Sequence, residues 1–167
     1  MLFHMSFAAD DPQRTAQMMA ELWQGRAYPF PPFAEGSWIA MAGDERGSGL
    51  EVYPRGAEMH EGEGAKDVRC VMGAANRNIA NHAAIATNLD EEEVKAIAGR
   101  YGATAKTCNR GPFHVVELWI DGCTMFEVLT PPMQDEYRGA MTFAGWEGFL
   151  AAMAGKPSHH NEGLSAA

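Results

Sequence analysis

The order of predicted secondary-structure elements in the first half of this chain recurs in the second half. Residues 1–54 are predicted to form a strand, a helix and then three strands, and residues 81–131 repeat that order. The strands show apolar residues at a two-residue period, and the helices show them at a helical period. A duplicated βαβββ pattern predicts an α+β fold made of two related modules.

The segments outside the two units differ from them in composition. Residues 55–80 contain the polar, glycine-rich stretch "RGAEMHEGEGAKD" and are predicted to be a linker, with a short strand at "VRCVM". Residues 132–167 are predicted to contain one C-terminal amphipathic helix in "FAGWEGFLAAMAG" and a frayed tail beyond Gly155. The chain therefore divides into a first module, a linker, a second module and a C-terminal extension.

Turn and cap residues mark the element ends. Asp11 and Pro12 are typical of a helix start, and Gly25 offers a stop. In the second module, Asn88 and Glu91 have the spacing of a capping box. Three prolines in "AYPFPPFAEG" favour an irregular edge strand, and the dipeptide Asp121-Gly122 favours a tight turn.

The net charge, the hydropathy pattern and the cysteine content limit the partners and the cellular compartment that we expect for this chain. The formal net charge is −9, which repels phosphate backbones and argues against a nucleic-acid partner. No apolar run reaches the length of a transmembrane helix, and the N-terminus lacks the pattern of a secretory signal. Cys70, Cys108 and Cys123 form an odd set without a CxxC pair, which is typical of reduced thiols. We therefore expect a cytoplasmic protein with neither a nucleic-acid nor a membrane partner.

A histidine and a glutamate occupy matched places in the two units. His4 and His82 lie in the first strand of each unit, and Glu51 and Glu127 lie in the last strand. Glu51 follows His4 by 47 residues, and Glu127 follows His82 by 45. If the units pair about a pseudo-twofold axis, the four side chains can converge. Two imidazoles and two carboxylates suit a divalent metal such as Zn, Ni, Mn, Fe or Co.

Each of the four residues also has an ordinary structural explanation. A histidine in an apolar strand is usually a satisfied core or edge residue. A glutamate in an antiparallel strand usually lies on the solvated face. Only the matched set, placed in a duplicated pattern, favours the metal site.

Several motifs together resemble the vicinal oxygen chelate superfamily, also called the glyoxalase/bleomycin-resistance/dioxygenase superfamily. "FHMSFAADD" is similar to its opening strand, "NHAAIATNLDEEEVKAIAGRYG" to the start of its second module, and "LEVYP" and "FEVLTP" to its closing strands. The resemblance covers residues 2–131. It implies two βαβββ modules whose curved mixed sheets pair around a shared cleft with a divalent metal at its floor. The cleft is completed either within one chain or by a dimer partner.

The ligand set points to one branch of that superfamily. Its extradiol dioxygenases and fosfomycin-resistance enzymes use two histidines and one glutamate, which match His4, His82 and Glu127. Glyoxalase I adds a glutamate in the first module, which matches Glu51. The resemblance is therefore to the glyoxalase I-like branch. It implies a metal-dependent lyase or isomerase that forms an enediolate-type intermediate, with Glu127 and Glu51 moving the proton.

Two other functions remain compatible with the same residues. An Fe(II) extradiol-type dioxygenase would use His4, His82 and Glu127 and leave Glu51 over. A metal-free, bleomycin-resistance-like protein would bind a cationic ligand in a cleft between the subunits of a homodimer. No set of arginines and asparagines for binding glutathione is identified, so the substrate is expected only to be a small oxygenated carbon compound.

Overall fold

A computed structural model describes residues 3–31, 34–60, 69–77 and 81–154 of the chain. The first module contains one helix packed on a four-stranded sheet. Its elements are β1 (His4–Ala9), α1 (Pro12–Leu22), β2 (Arg26–Pro29), β3 (Trp38–Met41) and β4 (Gly49–Pro54). The strand order is β1-β4-β3-β2, with β1 parallel to β4 and the other pairs antiparallel. A parallel pair needs a crossover, and in this module α1 forms part of it.

A two-stranded sheet and the second module follow. The small sheet pairs β5 (Ala57–His60) with β6 (Arg69–Met72), both within the predicted linker. The second module contains β7 (His82–Ala86), α2 (Glu91–Arg100), β8 (Thr104–Asn109), β9 (His114–Ile120) and β10 (Thr124–Leu129). Its order, β7-β10-β9-β8, repeats that of the first module. The predicted α+β fold of two βαβββ modules is confirmed.

Up to residue 154, where the description ends, the C-terminal extension holds two helices, α3 (Pro131–Ala140) and α4 (Phe143–Ala154), where the sequence predicts one. The predicted helix corresponds to α4. The helix α3, which the sequence did not predict, starts at the Pro131-Pro132 pair, because proline suits the first turn of a helix.

The helix starts confirm one prediction and correct another. Asp11 caps α1 by accepting a hydrogen bond from the Arg14 backbone N–H, as predicted. The capping box of α2 is formed by Asp90 and Glu93, so the assignment to Asn88 and Glu91 was wrong. Both pairs have the same spacing. The structure uses the later pair because the hydroxyl of Thr87 accepts from the Leu89 N–H and holds the preceding residues in a turn.

The other local predictions can also be compared with the structure. α1 ends at Leu22, and Gly25 lies beyond it where a Cβ would come within 2.0 Å of the Met41 carbonyl oxygen. Asp121 and Gly122 both have positive φ angles, of 53° and 64°, in the turn between β9 and β10. β2, which contains Pro29, is an edge strand. All three cysteines are free thiols.

The two modules pack against each other through the sheet faces that also contact α1 and α2. One apolar core contains residues of both helices and both sheets. Phe7 of β1 meets Phe126 of β10 edge-on, with ring centroids 4.8 Å apart. Among the described residues, no helix is both long and apolar enough to span a membrane.

An ionic cluster also joins the modules. The Arg55 side chain, only 8% exposed, contacts Asp10 of the first module and Asp121 of the second. The distance from Arg55 Nη2 to Asp121 Oδ2 is 2.6 Å, and the Asp10 backbone N–H donates to the same oxygen. Arg77 bridges Asp10 and the Asp121 carbonyl oxygen. We call Asp10, Arg55, Arg77 and Asp121 the inter-module cluster.

Candidate functional site

His4 and Glu51 lie together on one face of the first sheet; we call this pair the first half-site. β1 and β4 run parallel with Ser6 opposite Glu51, so His4 lies one pleat away on the same face. His4 Nε2 is 3.9 Å from Glu51 Oε1. The histidine side chain is 61% exposed and the glutamate side chain 14% exposed. The imidazole of His4 is therefore accessible to solvent, while the carboxylate of Glu51 is largely buried.

A neutral hydroxyl holds Glu51 in place. The Tyr53 hydroxyl donates a short hydrogen bond to Glu51 Oε2. Burial of the Tyr53 ring, together with this bond, raises the pKa of its hydroxyl. Tyr53 therefore stays protonated and acts as a donor throughout the physiological pH range.

His82 and Glu127 occupy the same places in the second sheet; we call this pair the second half-site. β7 and β10 run parallel with His82 opposite Met125 and Ala84 opposite Glu127. The first half-site has the same offset, with His4 opposite Gly49 and Ser6 opposite Glu51. The spacing in the sequence thus corresponds to one repeated backbone register.

The surroundings of Glu127 differ from those of Glu51. Arg110, in the loop before β9, donates from Nε to Glu127 Oε1 at 2.7 Å and from Nη2 to Glu117 Oε1 at 2.8 Å. Glu117 is the residue of β9 directly opposite Glu127. One guanidinium therefore bridges two carboxylates that neighbour each other across the strands. These bonds, led by the one to Glu127, raise the pKa of Arg110.

Glu117 has two further donors. The indole N–H of Trp119 donates to Glu117 Oε2 at 3.0 Å, and Lys106 Nζ lies 3.1 Å from the same oxygen. The hydrogen bond from Trp119, supported by Arg110 and Lys106, lowers the pKa of Glu117 to about 2 despite its burial. Glu117 is therefore an anion at any physiological pH and a fixed anchor for Arg110.

Both half-sites lie on the sheet faces opposite to the contact between Phe7 and Phe126. Side chains alternate along a strand, so His4 and Phe7 occupy opposite faces of β1, and Phe126 and Glu127 occupy opposite faces of β10. Phe7 and Phe126 contact each other between the modules. The faces that carry the half-sites must then point away from that contact.

The four predicted residues are consequently not brought together within one chain. Across the described parts of the chain, no three His, Cys, Asp or Glu side chains cluster in a way that could hold a metal ion. His4 lines a groove of about 490 Å³ with Trp23 and residues 83–88. His82 lines a different cavity, of about 220 Å³, with Ser6 and Arg55.

The sequence did not predict the contacts of Arg110, Glu117 and Lys106, or the hydrogen bond from Tyr53 to Glu51. Glu117 carries the same signal as Glu127, a carboxylate inside an apolar strand, "HVVELWI". Ile39 stands at its equivalent place in the first module, opposite Glu51, so a search for matched pairs passes over it. Arg110 lies in a loop, where strand alternation makes no prediction.

In the described part of the chain, two further histidine–glutamate pairs lie outside the half-sites. His60 Nε2 is 3.0 Å from Glu58 in the small sheet, and His114 Nδ1 is 3.0 Å from Glu136 of α3. All four side chains are at least 40% exposed. They offer matched controls for experiments on the half-sites.

The residues of the half-sites fit a divalent metal. Imidazole nitrogens and carboxylate oxygens are the donor types that Zn and related ions take. In the second half-site a cation already lies on a predicted ligand oxygen, since the Arg110 guanidinium contacts Glu127 Oε1. That oxygen therefore points into a position that attracts positive charge.

Comparison with known proteins gives similarities of fold. No family model matches the chain, and no curated protein matches it. Similar solved structures include fosfomycin resistance protein FosX from Mesorhizobium loti, with 19% identity, coverage of 81% of this chain and 95% of that one, and a TM-score of 0.48. Another is the trypanothione-dependent glyoxalase I of Leishmania major, with 14% identity, coverage of 92% and 97%, and a TM-score of 0.47.

A third similar structure is a glyoxylase/bleomycin resistance protein/dioxygenase domain from Frankia sp., with 9% identity, coverage of 78% and 96%, and a TM-score of 0.48.

Proposed function

We propose that the chain is a metal-dependent enzyme of the lyase or isomerase type. Its divalent ion, one of Zn, Ni, Mn, Fe or Co, would be held by His4, Glu51, His82 and Glu127. The observation that carries the proposal is the shared register of the half-sites, in which each histidine precedes its glutamate by one pleat on a parallel strand pair. Two unrelated strand carboxylates would have no reason to share it.

The proposal includes a homodimer. The four side chains do not form a cluster that could hold a metal within one chain, so in this proposal a complete site combines the first half-site of one chain with the second half-site of its partner. A twofold axis would create two such sites at once. Small side chains beside the histidines, among them Ser6, Ala84 and Ala86, leave room for a close approach of the two sheets.

The chemistry follows from the side chains of the half-sites. The metal, when bound, would polarise adjacent oxygens of a substrate. Glu51 and Glu127 would act from the two sides of the cleft as proton acceptor and donor at neighbouring carbons. Tyr53 would keep Glu51 oriented, and the basic side chains of Lys106 and Arg110 would favour a substrate that also carries an anionic group. The substrate class is a small oxygenated carbon compound.

Metal titration tests the proposal directly. Protein stripped with a chelator is titrated calorimetrically with Zn²⁺, Ni²⁺, Co²⁺ and Mn²⁺, and we expect about one ion per chain, since a dimer would hold two sites. The variants Glu51→Gln and His82→Ala should lose this binding. The matched controls His60→Ala and His114→Ala should retain it. If no divalent ion binds to the wild type, the proposal fails.

A proton-transfer assay tests the reaction type. The metal-loaded protein is incubated in D2O with small 2-hydroxy carbonyl compounds, with and without an acidic group, and NMR detects deuterium at the carbon next to the carbonyl. We expect exchange in the wild type and its loss in Glu127→Gln. Consumption of oxygen with catechols and Fe(II), without such exchange, would favour a dioxygenase instead.

A second candidate function is a metal-free ligand-binding protein. The observation that favours it is the Arg110 bridge, which together with Lys106 offsets the negative charges of Glu117 and Glu127 without a metal. A cationic ligand, attracted by the net negative charge of the chain, would then bind in the dimer cleft. Thermal stabilisation by such a ligand that a chelator does not alter would support this function. Stabilisation by divalent ions alone would support the enzyme.

A further inference from the structure

The guanidinium of Arg110 lies against Glu127, where a metal ion bound to that carboxylate would also lie. Arg110 Nε lies 2.7 Å from Glu127 Oε1, one of the two carboxylate oxygens through which Glu127 could bind a metal. A divalent ion bonded to that oxygen would bring two cations into close contact, and their repulsion is strong in a partly buried site. Bonding of the ion to Oε1 and the Arg110–Glu127 hydrogen bond are therefore mutually exclusive.

Several contacts fix the position of the Arg110 side chain. A second guanidinium nitrogen, Nη2, donates a hydrogen bond to Glu117, and Trp119 and Lys106 in turn fix Glu117. Its backbone N–H donates to the Phe113 carbonyl oxygen at 2.8 Å and closes a tight loop.

The loop itself is packed from outside by the C-terminal helices. Gly111 has a positive φ of 94°, and a Cβ there would lie 3.4 Å from the ring of Phe149 in α4. Phe113 contacts Tyr137 of α3, with ring centroids 4.9 Å apart. Backbone, side chain and packing all hold the guanidinium over Glu127.

The first half-site is built differently. Glu51 accepts a hydrogen bond from the neutral hydroxyl of Tyr53, and Ile39 takes the place of Glu117. A metal that reaches Glu51 therefore meets a neutral donor, whereas a metal that reaches Glu127 meets a fixed cation.

We infer that Arg110 is a built-in competitor of the metal: it occupies Glu127 in the metal-free chain and must be displaced from it when the ion binds. This inference rests on the proposed function. Glu117 would retain the displaced guanidinium beside the site, because its bonds to Trp119 and Lys106 do not involve Glu127. The competition lowers metal affinity and places a positive charge against Glu127 until the ion arrives.

The inference predicts an unusual sign for a substitution. Removing a residue that supports a metal ligand ordinarily weakens metal binding. Arg110→Gln should instead tighten the binding of Zn²⁺ or Co²⁺ by about tenfold, the equivalent of losing one competing charge-assisted hydrogen bond. Arg110→Lys, which keeps the charge but loses the bidentate fork, should fall between Arg110→Gln and the wild type.

Lys106→Gln is the matched control. It removes the same charge from the same face, but Lys106 contacts Glu117 rather than Glu127. The experiment titrates Zn²⁺ and Co²⁺ calorimetrically into wild type, Arg110→Gln, Arg110→Lys and Lys106→Gln, after circular dichroism has verified that each is folded. In the wild type, the ¹H–¹⁵N resonance of Arg110 Nε is followed during the Zn²⁺ titration and should shift as the bond to Glu127 breaks.

The outcomes separate the inference from the function beneath it. Tighter binding in Arg110→Gln than in both the wild type and Lys106→Gln supports the competition. Metal binding in the wild type, with equal or weaker binding in Arg110→Gln than in the wild type or Lys106→Gln, overturns the competition and leaves the metal site standing. The absence of metal uptake by the wild type overturns the proposed function itself.

Discussion

The two half-sites share a backbone and differ in their neighbours. In both, a histidine on the first strand precedes a glutamate on the last by one pleat. Glu51 is hydrogen-bonded to a neutral tyrosine, while Glu127 is paired with an arginine that a second glutamate holds. A duplicated fold can thus preserve the position of a ligand while the two copies acquire different charge environments. The two glutamates should therefore respond differently to the same substitution.

The largest expected effect concerns the inter-module cluster, in which Arg55 joins Asp10 of the first module to Asp121 of the second. Arg55→Leu would leave Asp10 and Asp121 without their shared cation in a largely buried position. We expect the free energy of unfolding to fall by about 3 kcal/mol, measured by urea denaturation. Arg77→Leu, which removes a more exposed cation from the same cluster, is the control and should cost clearly less. Equal losses in both variants would show that burial of Arg55 does not matter.

A smaller effect is expected at Glu117, which lies opposite Glu127 in the second module. In the first module Ile39 stands at the equivalent place. Glu117→Gln should lower the free energy of unfolding by about 2 kcal/mol at neutral pH, because three donors lose a charged acceptor. The folded-state pKa is depressed from 4.5 to about 2, so the stabilisation is fully present above pH 4.5 and is lost as the pH falls toward 2.

Denaturation of wild type and Glu117→Gln across that pH range checks this prediction. The difference between the two curves should shrink steadily below pH 4.5. A difference that is independent of pH would contradict the ionic role of Glu117.

The two ligand glutamates can be compared directly in the metal-free protein. Glu127→Gln breaks a bond to a cation and should cost about 1.5 kcal/mol. Glu51→Gln keeps an amide oxygen for the Tyr53 hydroxyl and should cost about 0.5 kcal/mol. Chemical denaturation in the presence of a chelator measures both. The reverse order would contradict the asymmetry between the half-sites.

The smallest of these effects falls on binding rather than on the fold. Tyr53→Phe removes the hydroxyl that orients Glu51 and should weaken Co²⁺ binding by about threefold, in the manner of a lost outer-shell hydrogen bond. The visible spectrum of the Co²⁺ complex should keep its band pattern, because the ligand set is unchanged. A gain in affinity would show that Tyr53, like Arg110, opposes the metal.

The repeated order of helices and strands could be predicted from the sequence, because the spacing of apolar residues and the helix-cap residues determine secondary structure locally. The two-residue alternation of "GLEVYP" and "TMFEVL" places each glutamate on the face opposite the core, as the structure has it. Local rules also have limits. They cannot choose between two capping boxes two residues apart, and they overlooked α3 behind its proline pair.

The relative position of the two half-sites could not be predicted from the sequence in the same way. It depends on which sheet faces pack together, and the contact between Phe7 and Phe126 decides this through residues 119 positions apart. The Arg110 bridge escaped for a related reason. It joins a loop to two strands of one module, and no counterpart in the other module draws attention to it.

The central claim is that a complete site forms between two chains, and complementation tests it most directly. Glu51→Gln damages only the first half-site and His82→Ala only the second, so neither variant alone should bind metal. Co-expression would give mixed dimers in which one site contains both damaged halves and the other contains both intact halves. With random pairing, about half of the dimers are mixed, and metal uptake should return to about one quarter of the wild-type value. If the mixture binds no more metal than the separate variants, although each still dimerises, the site does not form between chains.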